Sequence, residues 1–344
     1  MSETALPAAM TLARSRHRRL LWLGVAVLVL AGAGVLSVSL GTRDVDWRDI
    51  AAGATGTTDT LARAVVAVRV PRTVMAALAG AALGLAGAVM QGVTRNPLAD
   101  PGILGVNAGA AMAVVIGMAW FGMATLTGYI WAAIAGAALT AGFVYAIGSV
   151  GRGGATPLKL ALAGTATMVA TSSFTTAIIL PRNDIAGGVQ AWQVGGVGGA
   201  SFDVIAPCLP FLAVGAALSL VSARSLNLLA LGDDAAAALG ARVAWARAGA
   251  ALGAGLLCGA ATAACGPLIF VGLVVPHLCR LLVGADYRWL LPFSALLGAA
   301  LLIGADVLAR LLARPSELDV GIVTAFIGAP VFIWIVRQRR VREL

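Results

Sequence analysis

The chain has 344 residues, of which 60% are hydrophobic and 11% charged, with 24 Lys and Arg against 15 Asp and Glu. A soluble domain carries roughly 25% charge, so a soluble fold of this composition would aggregate, and the strongly positive mean hydropathy calls for a lipid environment. The surplus of positive charge flanks apolar runs with no accompanying aromatic platform, which argues against nucleic acid as a partner.

The chain opens with a basic tail, residues 1–19, in which Arg14, Arg16, Arg18 and Arg19 precede an apolar run over 20–40. This resembles the start of a secretory signal, but the run is too long for an h-region and lacks a clear cleavage site, so it is predicted to be an uncleaved first span. A polar segment follows in which Asp44, Asp46, Asp49 and Asp59 alternate with Arg43, Arg48 and Arg63; it reads as a solvated external loop with no signature of a separate domain. A bilayer core needs about 20 apolar residues of helix. Further runs of that kind are predicted at 73–92, 103–121, 127–148, 159–180, 203–222, 244–264, 268–284, 289–311 and 320–336, the sixth and eighth spans being interrupted by glycine and proline. The expected fold is therefore all-α: one ten-span membrane domain over 20–336, with a second basic tail at 337–344.

Basic loops stay on the side from which a chain is inserted. With the amino terminus inside, the inner segments hold Arg14, Arg16, Arg18, Arg19, Arg95, Arg152, Lys159, Arg224, Arg242, Arg247, Arg280, Arg288, Arg337, Arg339, Arg340 and Arg342, two thirds of all basic residues. That bias predicts both termini in the cytoplasm.

The stretch 69–109 is the most informative. Arg69 and Arg72 stand three apart at the outer mouth of the second span, on one helical face. Gly80, Gly84 and Gly87 follow at helical spacing, which suits either close helix packing or a pore wall, and packing is the ordinary use of such stripes in lipid. Beyond the span, Pro97 and Pro101 cannot donate backbone hydrogen bonds, whereas Asn96 and Asp100 can bond the freed backbone groups. Residues 95–102 should thus form an ordered break, either a connecting turn or a constriction. Gly249, Gly253, Gly255 and Gly259 make a second stripe in the seventh span. Cys208, Cys258, Cys265 and Cys279 lie in apolar surroundings without paired spacing, so no disulfide, metal site or cofactor is expected. No G-x-x-x-x-G-K-[ST] loop occurs and Lys159 is the sole lysine, so the chain cannot hydrolyse ATP itself. A Ser-His or metal-based hydrolase is disfavoured by having only two histidines, one of them His17 in the tail. An ion-coupled secondary transporter would want midplane acids; Asp306 is the one candidate, and it sits toward the outer side four residues before Arg310, a spacing that allows an ion pair.

Several long motifs, in order, resemble the permease family that imports ferric siderophores, haem and cobalamin in binding-protein-dependent ATP-driven transporters: RVPRT with GAVMQGVTRNPLADPGILGVNAGA, then LLALGDDAAAALGARVA, GPLIFVGLVVPHLCRLLVGADYRWLLP, ADVLARLL and AFIGAPVFIWIVRQRR. The resemblance covers nearly the whole chain and is strongest to ferric-catecholate permeases of the enterobactin type. It implies a type II ABC importer permease, multi-pass in the bacterial cytoplasmic membrane, importing a ferric siderophore, with haem or cobalamin as alternative cargo. It also implies three partners besides lipid: cytoplasmic ATPase subunits, an extracytoplasmic substrate-binding protein and a second permease subunit, identical or related.

By the same resemblance Arg69, Arg72 and Arg310 receive acidic side chains of the binding protein. Asn96, Pro97 and Leu98 form an inner gate, with Pro157 and Leu158 as its second strand. The loop 227–243 carries the coupling segment, comprising Leu231, Gly232, Asp233, Asp234, Ala235, Ala236, Leu239 and Gly240. The residues explain why it could. Asp233 or Asp234 can cap a helix start, 235–239 favour helix, and Gly240 suits a left-handed stop, giving a rod of barely two turns able to sit in a groove of a cytoplasmic partner. His277 and Gln91 belong to the family pattern and are expected to make structural hydrogen bonds.

Overall fold

A computed structural model describes residues 5–42, 45–55, 58–123, 125–151 and 156–338. Arg43, Asp44, Arg152, Arg339, Arg340 and Arg342, used above to read the loops, lie outside the described residues. The elements are, in order, α1 (Ala5–Ser39), α2 (Trp47–Ala54), α3 (Leu61–Thr94), α4 (Val106–Phe121), α5 (Leu126–Ser149), α6 (Pro157–Ile179), α7 (Asn183–Val194), α8 (Phe202–Ile205), α9 (Leu209–Val221), α10 (Ala223–Leu229), α11 (Asp233–Ala238), α12 (Val243–Cys265), α13 (Val271–Val283), α14 (Tyr287–Leu312) and α15 (Val320–Gln338). Among the described residues, seven stretches are long and apolar enough to cross a membrane, and three shorter apolar helices, Val106–Phe121, Val271–Val283 and Val320–Trp334, take the remaining predicted span positions.

Two elements depart from the sequence reading. The external loop folds in part into α2, and α7 follows α6 as a helix too polar to span. Arg182 precedes it, bonding Asp184 at 2.8 Å and the Ala119 carbonyl at 3.0 Å. That guanidinium holds the exposed Asp184 carboxyl below its ordinary range.

The second span is longer than expected. It begins at Leu61, eight residues before Arg69, and runs through Pro71. Helix α3 is the centre of the molecule: its most apolar window is 78% buried, against 11% for α1. A helix that is apolar all round belongs in an interior. It packs on α1, α12, α13 and α14. The approach to α14 is close because α3 carries no side chain where they meet: a Cβ on Gly80 would collide with the Gly298 carbonyl and one on Gly84 with that of Ser294. The stripe at 80, 84 and 87 is thus a packing surface.

The break after α3 is ordered as its composition predicts. Arg95 ends the helix in the left-handed conformation, φ 51° and ψ 29°. The Leu98 N–H donates to Asn96 Oδ1 at 3.0 Å and the Gly102 N–H to Asp100 Oδ1 at 2.8 Å. A 3-10 turn, Pro101–Leu104, leads into α4 and packs against α6.

Candidate functional sites

At the outer end, the three arginines expected to meet a binding protein converge, because the carboxyl-terminal end of α1, the first half of α3 and the last turns of α14 come together there. Arg72 donates to Asp306 through Nε at 3.0 Å and Nη2 at 2.8 Å, and to Glu317 through Nη1 at 2.6 Å. Arg310 Nη2 lies 3.0 Å from the other Asp306 oxygen, the i, i+4 pair that the spacing allows. Its remaining donors reach the Ser37 and Leu40 carbonyls at 3.0 and 2.9 Å and Ser37 Oγ at 2.8 Å. Arg69 Nη1 donates to the Val38 and Ser39 carbonyls at 3.1 and 2.9 Å.

Two guanidinium groups therefore satisfy the orphan carbonyls that end α1, where the helix dipole favours cations. Arg69, Arg72 and Arg310 are 5%, 7% and 2% exposed, so none stands out as an open cation at a helix mouth. The exposed groups beside them are Glu317 and Arg314, the latter bonded to the Gly41 carbonyl. Arg69, Arg72, Arg310, Arg314 and Glu317 interact electrostatically as one group. Four cations against Asp306 and Glu317 leave two positive charges in excess.

At the inner end the segment expected to couple to an ATPase contains a six-residue helix, α11. Its start differs from expectation: Gly232, at φ 104°, holds the cap position and no side chain caps the helix. Asp233 is instead spent on ion pairs, its Oδ1 lying 2.9 Å from Arg247 Nη2 and 3.4 Å from Arg95 Nη2. Gly240 stops the segment at φ 84°, in the left-handed region as predicted. Ala236 is buried beneath the rod, while Leu231 and Leu239, one on each side of it, are each 62% exposed. Asp234 and Ala235 face solvent.

The two segments expected to form a gate lie on this same side. Asn96 is exposed and Pro97 and Leu98 half-buried. Thr156 caps α6 by accepting the Lys159 N–H at 3.4 Å, Pro157 takes the first helical position, and Leu158 is exposed. Gln91 makes the expected structural contacts, donating to the Leu273 carbonyl at 3.3 Å and accepting from Arg280 Nη1 at 2.5 Å, which ties α3 to α13. His277 is half-buried in α13. The four cysteines are free and buried, and no cluster of metal-ligating side chains occurs among the described residues.

Sequence reasoning missed Glu317 as the partner of Arg72 and Arg95 as the partner of Asp233. Neither has a local signal, because their partners lie 245 and 138 positions away.

The profile of the FecCD transport family matches residues 27–338. The chain belongs to the FecCD transport family. Among its relatives, the iron(3+)-hydroxamate import system permease protein FhuB of Bacillus subtilis (strain 168) is 42% identical over 325 residues, covering 92% of this chain and 84% of that one. The ferric enterobactin transport system permease protein FepD of Escherichia coli (strain K12) is 42% identical over 314 residues, 91% of this chain and 94% of that one. The hemin transport system permease protein HmuU of Yersinia pestis is 35% identical over 334 residues, 94% and 97% of the two chains. A solved chain described as a metal-chelate type ABC transporter in an inward-facing conformation superposes with a TM-score of 0.80 at 28% identity, covering 92% of this chain and 98% of that one. This FecCD-family chain is a multi-pass permease of the cytoplasmic membrane.

Proposed function

We propose that this FecCD-family chain is one permease half of a binding-protein-dependent, ATP-driven importer that carries a ferric siderophore into the cell. The observation that carries the cargo assignment is the 42% identity, over more than nine-tenths of the chain, to relatives named for iron(3+)-hydroxamate and ferric enterobactin. Haem and cobalamin are the alternative cargo, since relatives named for hemin and cobalamin match at 35% and 39%.

The outer cluster at Arg69, Arg72 and Arg310 is the proposed dock of the substrate-binding protein. Its excess of two positive charges supports a partner with surface carboxylates, which such a field would steer and orient. At the inner end, Leu231 and Leu239 flanking Asp233–Ala238 offer apolar knobs for an ATPase groove. Energy then comes from separate cytoplasmic ATPase subunits. Asn96, Pro97, Leu98, Pro157 and Leu158 form the proposed inner gate, a narrow and largely apolar closure.

A second permease subunit, identical or related, completes the path. Helix α6 supports this: its apolar window is 17% buried, yet its exposed faces carry Thr165, Ser172, Ser173 and Thr176. Thr165, Ser173 and Thr176 bond carbonyls four residues back at 2.8 to 3.0 Å. Hydroxyls satisfied in this way give a wall that is weakly polar without binding cargo tightly, as release requires.

The test is uptake into proteoliposomes holding this chain, its permease partner and the ATPase, supplied with the cognate binding protein and a panel of ferric siderophores, haem and cobalamin. Uptake of ferric siderophores that requires ATPase and binding protein is expected. Uptake without the ATPase overturns the ATP-driven reading, and uptake of haem or cobalamin alone overturns the cargo.

A further inference from the structure

The carboxylate of Asp233 is a node between three elements. It belongs to the first residue of α11, and one of its oxygens is shared by Arg247 of α12 and by Arg95, the residue that ends α3. Arg247 is buried, so its side of the node is anchored; Arg95 and Asp233 are each about one-third exposed. Arg95 directly precedes Asn96, Pro97 and Leu98, and its left-handed backbone is one that side-chain-bearing residues seldom adopt. The neighbouring backbone is close as well: a Cβ on Gly232 would lie 3.6 Å from Arg95 Nη1. A rigid shift of α11 must therefore carry the Arg95 guanidinium with it or break the contact, and in the first case it pulls on the residue that opens the turn holding residues 96–98.

We propose that Arg95 is a positioning residue that transmits displacement of α11 to the inner gate through its ion pair with Asp233. The inference rests on reading α11 as the ATPase dock and 96–98 as the gate. It adds the physical link between them. Motion of α11 reaches the gate through the Arg95 guanidinium, while the shorter pair with Arg247 ties the same carboxylate to α12.

Three variants separate charge from backbone. Arg95→Gln removes the charge and shortens a polar side chain, Arg95→Lys keeps the charge and most of the reach, and Arg95→Gly removes the side chain while suiting the left-handed turn. In the reconstituted transporter, Arg95→Gln and Arg95→Gly should raise the ATP hydrolysed per substrate imported several-fold, with Arg95→Lys restored toward wild type. Gate motion is read separately: all four native cysteines are buried, so a thiol reagent reports on Leu98→Cys. ATP should change the reactivity of Cys at 98 when Arg95 is present and leave it unchanged in the Arg95→Gln background.

Leu239→Asp tests the reading beneath the inference, and should weaken binding of the ATPase subunit. Unimpaired binding in Leu239→Asp overturns the docking role of α11. Impaired binding there, together with a wild-type ATP-to-substrate ratio and a wild-type nucleotide response at position 98 in Arg95→Gln and Arg95→Gly, overturns the transmission and leaves the docking role standing.

Discussion

Replacing Asp306 by asparagine isolates what holds the outer end together. The carboxylate is fully buried and receives two arginines, Arg72 on Oδ1 at 2.8 and 3.0 Å and Arg310 on Oδ2 at 3.0 Å. Asparagine has nearly the same volume, so no cavity opens and the loss is electrostatic. The one remaining side-chain oxygen could accept from only one of the two guanidinium groups, and the new N–H donors would point at the donors of the other. Removing one partner of a buried ion pair costs about 3–5 kcal/mol, because the remaining charge stays desolvated. Arg72 would retain Glu317 at 2.6 Å, whereas Arg310 would keep only neutral acceptors. The side chain of Glu317 is 42% exposed, and exposed pairs contribute about 0–1 kcal/mol, so Glu317→Gln is the matched control. At roughly 2 °C per kcal/mol for a chain of this size, Asp306→Asn should lower the thermal midpoint by about 6–10 °C and Glu317→Gln by about 2 °C or less. Tryptophan fluorescence of detergent-purified protein follows both. An Asp306→Asn midpoint no lower than that of Glu317→Gln would refute the reasoning. So would a triple variant, Arg72→Met with Asp306→Leu and Arg310→Met, as unstable as the single one, since removing all three charges should recover part of the loss.

Other consequences are as direct. Glu317→Gln uncovers Arg72 Nη1 and should strengthen docking of the cognate binding protein several-fold, while Arg314→Glu should weaken it; surface binding of the assembled transporter at low salt measures both, and unchanged affinity in the pair would remove docking from this cluster. Gly84→Leu drives a side chain into the Ser294 carbonyl, an overpacking of about 3 kcal/mol or more, and should abolish monodisperse protein on size exclusion, whereas Gly142→Leu, with no neighbour within 4 Å, should be tolerated. Gln91→Leu removes the acceptor of Arg280 and should cost about 1.5–3 kcal/mol, the range for hydrogen bonds to charged groups, read as a lower thermal midpoint.

What the sequence made legible follows from how local each signal is. Span positions were legible because hydropathy sums over about 20 neighbours, and they recur to within a few residues except at α3. There the polar look of Arg69 and Arg72 hid the helix start at Leu61, since the cost of burying those charges is met by Asp306 and by the end of α1, both far away in sequence. The turn at 95–102 was legible for the opposite reason: Asn96 and Asp100 each bond an N–H two residues on. The start of α11 was misread because an aspartate beside a short helix can serve the cap or a distant guanidinium. Arg247 and Arg95 decide in favour of the latter.

The two ends of α3 are held by interactions of very different strength, and this difference assigns the moving part. At the outer end, buried guanidinium groups share one buried carboxylate and close the carbonyls of α1, so releasing any one strands charge at a cost of several kcal/mol. At the inner end, Arg95 meets Asp233 at 3.4 Å with both side chains about one-third exposed, a contact worth about 0–1 kcal/mol. Its left-handed backbone adds a strain of about 1–2 kcal/mol that a helical or extended rearrangement would relieve. A bias of 1–2 kcal/mol shifts a two-state equilibrium by about 5- to 30-fold. The inner end therefore yields to a modest push on α11 while the outer end does not, so the proposed gate at Asn96, Pro97 and Leu98 would open and close about a fixed outer pivot.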